Sequence, residues 1–419
     1  MKGTELKNKV AFPEPLSIKS NTLWNLIGCI FYLGCQWLTT VLVVIFSTGY
    51  ENSGALAFAM SIGNMFASIS LFKIRTYQVS DIENRFSSSE YIGFRFATIT
   101  LSMTLSALYL ALIVDDSHIV AATLAFLIFK TDETFADVLY GIDQKHGRMD
   151  YIGKSQIIRG FATIVGFSAP LVVTGNLFFA IGGMTALCFL TTLLYDLTRA
   201  SRFGKLGISL TKSRVIALGK ACLLPTIANF CATSIVSVAR QRYGIFAGDQ
   251  MLGIYASIAT PAVLIQAGAT YLYSPLLGSL AKTMLLEDSA RFKRKFILVM
   301  LGLFATMTVA TIVLTLCGPS VLKVVFGSGI TDYTWTFPFA LTATTSIATL
   351  LYVNDILIVA RDNGTQIVAN ALALTITACA SDALIRFFGM NGVNLTIILA
   401  TIPAILLGTG KLLTKRSFH

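Results

Sequence analysis

Residues 177–197 read LFFAIGGMTALCFLTTLLYDL, and residues 199–214 read RASRFGKLGISLTKSR before a second apolar run extends to residue 239. The first stretch matches the roughly 20 residues that an α-helix needs to cross a bilayer core. The basic stretch cannot enter hydrocarbon and marks a connection on one side of a membrane. The same alternation recurs in both directions along the chain. Apolar windows fall at 22–47, 53–74, 91–114, 118–141, 155–174 and 177–197, then at 214–239, 250–278, 295–317, 334–360, 365–388 and 392–413. Their lengths, their glycines and prolines and their lack of strict alternation favour helices over a β-barrel. The expected fold is therefore an all-α integral membrane protein of about 12 transmembrane helices. Residues 199–214 divide it into two six-helix lobes, 1–205 and 206–419, in parallel orientation. A short interfacial helix is expected at Val321–Gly329.

Composition agrees. Of 419 residues 55% are hydrophobic and only 13% charged, with mean hydropathy +0.73, whereas soluble domains carry roughly 25% charged residues. The connections are too short for a folded catalytic domain, and no GxxxxGK[ST] loop for nucleotide phosphates occurs. The seven cysteines lie singly in or beside apolar stretches, as buried small hydrophobes do, without a CxxC pair. Three histidines give no basis for a metal centre or a catalytic triad. No cofactor is expected, and the chain reads as a non-enzyme. The polar, basic segment Met1–Ser20 does not read as a signal peptide.

The net charge of +11 does not point to nucleic acid, because it is distributed by side. With the N-terminus in the cytoplasm, 27 of 32 lysines and arginines fall on the cytoplasmic side and only Arg240, Arg242 and Lys323 on the outside; Lys130 and Arg386 fall within spans. That asymmetry predicts a multi-pass plasma-membrane protein with both termini cytoplasmic.

Two segments at the cytoplasmic ends of spans two and four are less generic: RTYQVSDIENRFSSSEY (75–91) and DVLYGIDQKHGRMDYIGK (137–154). With the six-and-six arrangement, they resemble the O-antigen and capsule repeat-unit (Wzx-like) polysaccharide flippases of the multidrug/oligosaccharidyl-lipid/polysaccharide exporter superfamily. The topological resemblance covers the whole chain, and its specific part is confined to the first half. It implies two bundles forming a V around a cavity with alternating access. The implied substrate is an undecaprenyl-pyrophosphate-linked oligosaccharide, moved across a bacterial inner membrane for surface polysaccharide synthesis. H+ or Na+ are candidate coupling ions, and a polysaccharide polymerase in the same membrane is a candidate partner.

Charged side chains inside spans are costly and so mark functional positions. In FKTDETFADVLYG (129–141), Lys130, Glu133 and Asp137 lie at roughly 0°, 300° and 340° on a helical wheel, with Asp132 turned away near 200°. The stripe should face the cavity; Lys130 and Glu133 also stand at ion-pair spacing. In SVARQRYG (237–244), Arg240 and Arg242 are about 200° apart, so only one is expected to face the cavity. Guanidinium suits a diphosphate; the alternative is a pair snorkelling to lipid phosphates. Lys130, Arg240, Arg242, Arg386, Gln36 and Trp37 are the candidate substrate-binding residues, Trp37 as a stacking surface for sugar rings. Asp382 and Arg386 stand at i, i+4, where a mutual ion pair is the simpler reading. Glu133, Asp137 and Asp355 are the candidates for cation coupling. Arg75, Asp81, Asp143, Arg148 and Asp150 are expected to form a cytoplasmic gate through pairs such as Arg75 or Arg148 with Asp143 or Asp150, with ordinary loop structure as the alternative. Pro170, Pro225, Pro261, Pro338 and Pro403 are expected to kink their helices.

Two rivals are weaker. A cation-coupled multidrug or metabolite exporter of the same superfamily typically carries a carboxylate deep in span one or seven, and this chain has none there. A polymerase or ligase needs a large external loop, whereas GYENSG, DDSH and GN are minimal.

Overall fold

The computed structural model describes residues 13–81, 83–285 and 289–414. The described residues form helices and short connections, with no strand among them. In hydrocarbon every backbone N–H and C=O must find a partner within its own segment, and the α-helix meets that requirement. The elements are α1 (Ile18–Ile45), α2 (Glu51–Leu71), α3 (Ile74–Ser80), α4 (Ser88–Ile113), α5 (Ser117–Lys145), α6 (Met149–Thr174), α7 (Leu177–Thr191), α8 (Leu197–Ala200), α9 (Lys212–Leu285), α10 (Ser289–Phe326), α11 (Phe337–Val359), α12 (Asn363–Phe388) and α13 (Met390–Thr414). Ten of these segments are long and apolar enough to cross a membrane by length and composition. The charge-bearing α5 falls outside that set, and α9 is two helices broken at Gly248, whose φ of 82° suits glycine.

Helix starts follow local chemistry. Ser87 and Glu90 form a reciprocal capping box on α4, and the Asp116 and Asn176 side chains accept from the first backbone N–H groups of α5 and α7. Between α2 and α3 the consecutive residues Phe72 and Lys73 both take left-handed dihedrals, which turns the short α3 away from the line of α2.

Several helices run past the apolar windows. α4 begins at Ser88 and α6 at Met149, ahead of the windows, and Arg95 and Arg159 within these two helices are buried in the bundle. The proposed interfacial helix at Val321–Gly329 does not exist as such: α10 continues through Pro319 to Phe326, and a 3-10 segment, Ser328–Thr336, follows. Pro338 sits in the first turn of α11, where its missing N–H costs nothing, and is no interior kink. Cys317 and Cys379 are exposed and not buried as expected; Cys35, Cys188, Cys222 and Cys231 are buried.

The helices form two lobes. In the first, α1 packs on α6, α2 on α4 and α5, and α7 on α5 and α6; in the second, α13 packs on α11 and α12, and α9 on α10, α11 and α12. The lobes meet chiefly where α2 lies along α9. Phe58, Ile62 and Phe66 of α2 share one buried cluster there with Ile235, Tyr243, Tyr255 and Ile258 of α9. The outward faces are apolar, with Leu112, Leu316 and Val324 exposed, as lipid contact requires. One end of the bundle carries the basic connections and the described residues nearest both termini. At the opposite end the mouth is acidic: a 750 Å³ vestibule is lined by Glu51, Asp115, Asp116 and Asp249, with His118.

Candidate functional site

Between the lobes lie two chambers. The one toward the basic end has a volume of 330 Å³ and is lined by Tyr32, Asn64, Arg75, Lys130, Glu133 and Asp137 of the first lobe and by Asn229 and Thr233 of α9. The second, of 360 Å³, is lined by Gln36, Trp37 and Asn64 and, from α9, by Arg240, Ser257 and Thr260. Asn64 borders both.

The helical wheel of α5 is realised. Lys130, Glu133 and Asp137 all line the first chamber, and each carboxylate has a resident cation. Lys130 Nζ lies 2.6 Å from Glu133 Oε2, over the rings of Phe126 and Phe129 at 5.4 and 5.7 Å. Glu133 also accepts hydrogen bonds from the Tyr32 hydroxyl and, at 2.7 Å, from Gln36 Nε2. Three donors satisfy the one carboxylate, and two of them tie α1 to α5. Asp137 is bridged by Arg95 at 2.8 Å and by Arg75 at 3.4 Å. Glu133 and Asp137 are thus occupied by protein cations, which speaks against the coupling-ion role expected for them.

Asp132, on the other face of α5, belongs to a buried network that sequence reading missed. Arg159 lies 2.7 Å from Asp132 and 3.0 Å from Asp196, and also donates to Thr192; all four residues are buried. Thr192–Asp196 is a π-turn following α7, and its extra residue brings Thr192 and Asp196 to the same guanidinium. Arg95 and Arg159 were missed because counting both as loop cations placed them outside the bundle. Both fall inside the apolar windows 91–114 and 155–174, which was the available signal.

The arginine pair divides as expected. Arg240 lines the second chamber beside the Tyr255 hydroxyl, and its Nε has no hydrogen-bond partner; the Trp37 indole nitrogen is likewise unpartnered. Arg242 instead meets Asp382 at 3.6 Å on an exposed surface. The expected Asp382–Arg386 pair is therefore replaced by a link between α9 and α12, and Arg386 is exposed and lines neither chamber. Asp355 also lies outside both chambers; it accepts a 2.8 Å hydrogen bond from Tyr273 and faces Lys73 of the first lobe within electrostatic range.

Of the expected gate pairs, Arg148 with Asp150 forms, and Arg75 pairs with neither Asp143 nor Asp150. Arg75 forms cavity wall: its Nε donates to Gln144 at 2.9 Å and its Nη1 reaches Asp137, not Asp143. Arg148 grips Asp150 with two hydrogen bonds of 2.8 and 3.0 Å, with Lys154 3.4 Å from the same carboxylate. Asp81 caps a loop by accepting from the backbone N–H of Arg85 and Phe86, at 3.0 and 3.1 Å, and from the Tyr91 hydroxyl at 2.9 Å. Burial works to raise its carboxyl, and these three hydrogen bonds outweigh that and hold it below its ordinary value. These contacts all lie within the first lobe.

No known family profile matches the sequence, and no curated protein is similar to it. Solved structures are similar in fold. An inward-facing multidrug resistance MATE family transporter of the MOP superfamily superposes with a TM-score of 0.71 at 10% identity, covering 93% of this chain and 98% of its own. The lipid II flippase MurJ, in an inward closed conformation, gives 0.71 at 12% identity, covering 92% and 88%. The chain has the fold of a MOP superfamily transporter. An outward-facing MATE transporter superposes less well, with a TM-score of 0.58 at 12% identity over 94% of both chains.

Proposed function

We propose that this chain is a flippase that carries an undecaprenyl-pyrophosphate-linked oligosaccharide from the cytoplasmic to the outer leaflet by alternating access of its two lobes. The basic end faces the cytoplasm in this reading, and the surface polysaccharide pathway is its setting. One observation carries it. Glu133 and Asp137 in the first chamber are neutralised by Lys130, Arg95 and Arg75, while Arg240 in the second has, among the described residues, no carboxylate within ion-pair distance. The cavity therefore offers a guanidinium to an incoming anion and no free carboxylate to a cationic drug. Asn64, Asn229 and Thr233 supply neutral hydrogen-bonding groups of the kind sugar hydroxyls need. MurJ, which shares the fold, is described as a lipid II flippase, a protein that handles a lipid-linked substrate.

In mechanism, the headgroup enters the first chamber from the cytoplasm while its lipid tail stays in the bilayer. Lys130 can turn from Glu133 toward the diphosphate, because Tyr32 and Gln36 continue to satisfy Glu133. Arg240 and the Trp37 indole N–H then receive it in the second chamber. With the interior negative, outward movement of two negative charges gains about 4–5 kcal/mol at 100 mV, enough to bias transport without ATP. H+ or Na+ coupling would alter that sum.

The test uses protein in liposomes containing a lipid-diphosphate oligosaccharide and reads the fraction of headgroup that becomes accessible to an external enzyme. Exposure that requires protein, rises with potential and is lost in Arg240→Glu supports the proposal. Potential- or pH-driven uptake of cationic dyes without headgroup exposure would replace it with the multidrug-exporter reading.

A further inference from the structure

Asp143 stands in the last turn of α5, past the apolar window that ends at residue 141. It is 2% exposed, its Oδ1 has no hydrogen-bond partner, and among the described residues no lysine, arginine or histidine nitrogen lies within 4.0 Å of its carboxylate. The charged and titratable groups that face it come from the segments packed around the end of α5; beside them Arg199 of α8 lies over the Tyr195 and Tyr151 rings at 5.0 and 5.4 Å. Arg75 approaches from α3, Arg148 and Asp150 from the start of α6, and Tyr195 and Asp196 from the π-turn. Their pairings are already made: Arg148 with Asp150, Asp196 with Arg159, and Arg75 with Gln144 and Asp137. A buried carboxylate with no counter-ion is costly, and such a group takes a proton instead.

We propose that Asp143 is a proton-binding site whose occupancy sets the partner of Arg75, and through it the charge on the wall of the first chamber. With the proton bound, Arg75 stays as seen here, 3.4 Å from Asp137 and in the cavity lining. Release of the proton to water at the basic end leaves a carboxylate that draws Arg75 away from Asp137. Asp137 keeps its closer partner, Arg95 at 2.8 Å, so only the cavity-facing cation moves. Burial first, then the charges of Asp196 and Asp150, push the Asp143 carboxyl up to about 8, so that the exchange falls near neutral pH. The inference does not depend on which molecule the cavity carries.

Infrared difference spectra of the purified protein, recorded from about pH 6.5 to about pH 9.5, test it directly, since this interval brackets a carboxyl titrating well above the ordinary aspartate range. The protein should lose a protonated-carboxyl C=O band as pH rises, and Asp143→Asn should lack that band. Arg75→Gln removes a cation that favours the ionised form, so it should move the midpoint of the same band upward. Absence of the band, its persistence in Asp143→Asn, or a midpoint unmoved by Arg75→Gln overturns the proposal.

Discussion

Gly54 of α2 and Gly253 of α9 meet backbone to backbone across the two lobes. A Cβ on Gly253 would stand 2.9 Å from the backbone nitrogen of Gly54, and a Cβ on Gly54 would overlap the Asp249 carbonyl. At the same end the Tyr50 hydroxyl donates to the Phe326 carbonyl at 2.7 Å. Closure at the acidic end therefore depends on two positions that have no side chain.

Gly54→Val or Gly253→Val should hold the lobes apart at that end. A cysteine placed at Asn64, which borders both chambers, should then react faster with a membrane-impermeant thiol reagent added from the acidic side. Gly182→Val, with nothing within 4 Å of its added Cβ, is the control and should leave the rate unchanged.

Arg159 holds two carboxylates in a buried site, so its removal leaves both uncompensated. Arg159→Met should destabilise the protein by about 3–5 kcal/mol, the range for breaking a buried ion pair from one side. Asp132→Asn, which leaves Arg159 with Asp196, should cost less. Thermal unfolding of the purified variants would give the ranking; equal losses would show that the two carboxylates are not held by the one arginine.

Arg240 and Arg242 are two residues apart and should differ sharply. Arg242 and Asp382 are 46% and 55% exposed at their side chains, so Arg242→Ala should change stability by no more than about 1 kcal/mol and leave headgroup exposure intact. Arg240→Ala should lower that exposure by tenfold or more, on the order of the 1.4 kcal/mol that a single charge-assisted hydrogen bond supplies. A liposome assay on both variants distinguishes them.

Asp81 ties pH to the loop between α3 and α4. Its folded carboxyl lies below the unfolded value, so the stabilisation is fully present above the unfolded value near 3.9 and is lost as pH falls through the folded one. Asp81→Asn should therefore lower the melting temperature at neutral pH, with the gap to the unsubstituted protein closing in acid. A gap that persists at low pH would assign the loss to packing.

Much of this was readable in the chain because a bilayer imposes a simple rule. Apolar runs of spanning length had to become helices, and the stripe of Lys130, Glu133 and Asp137 had to face inward, since lipid would not accept it. The opposite placement of Arg240 and Arg242 followed from 100° per residue alone. What failed was pairing. Asp382 and Arg386 had the right spacing and did not pair, because a helix wheel gives direction and says nothing about the neighbouring helix, here α9 with Arg242.

Local hydrophobicity and helical period were enough to give the all-helical membrane fold and the cavity-facing stripe. Only the tertiary structure decided which cation neutralises which carboxylate. Arg95 reaches Asp137 and Arg159 reaches Asp132 and Asp196, through contacts between helices far apart in the chain, while among the described residues Asp143 Oδ1 has no hydrogen-bond partner. Charge pairing in a low-dielectric interior acts over a few ångströms, and those distances exist only once the helices have packed.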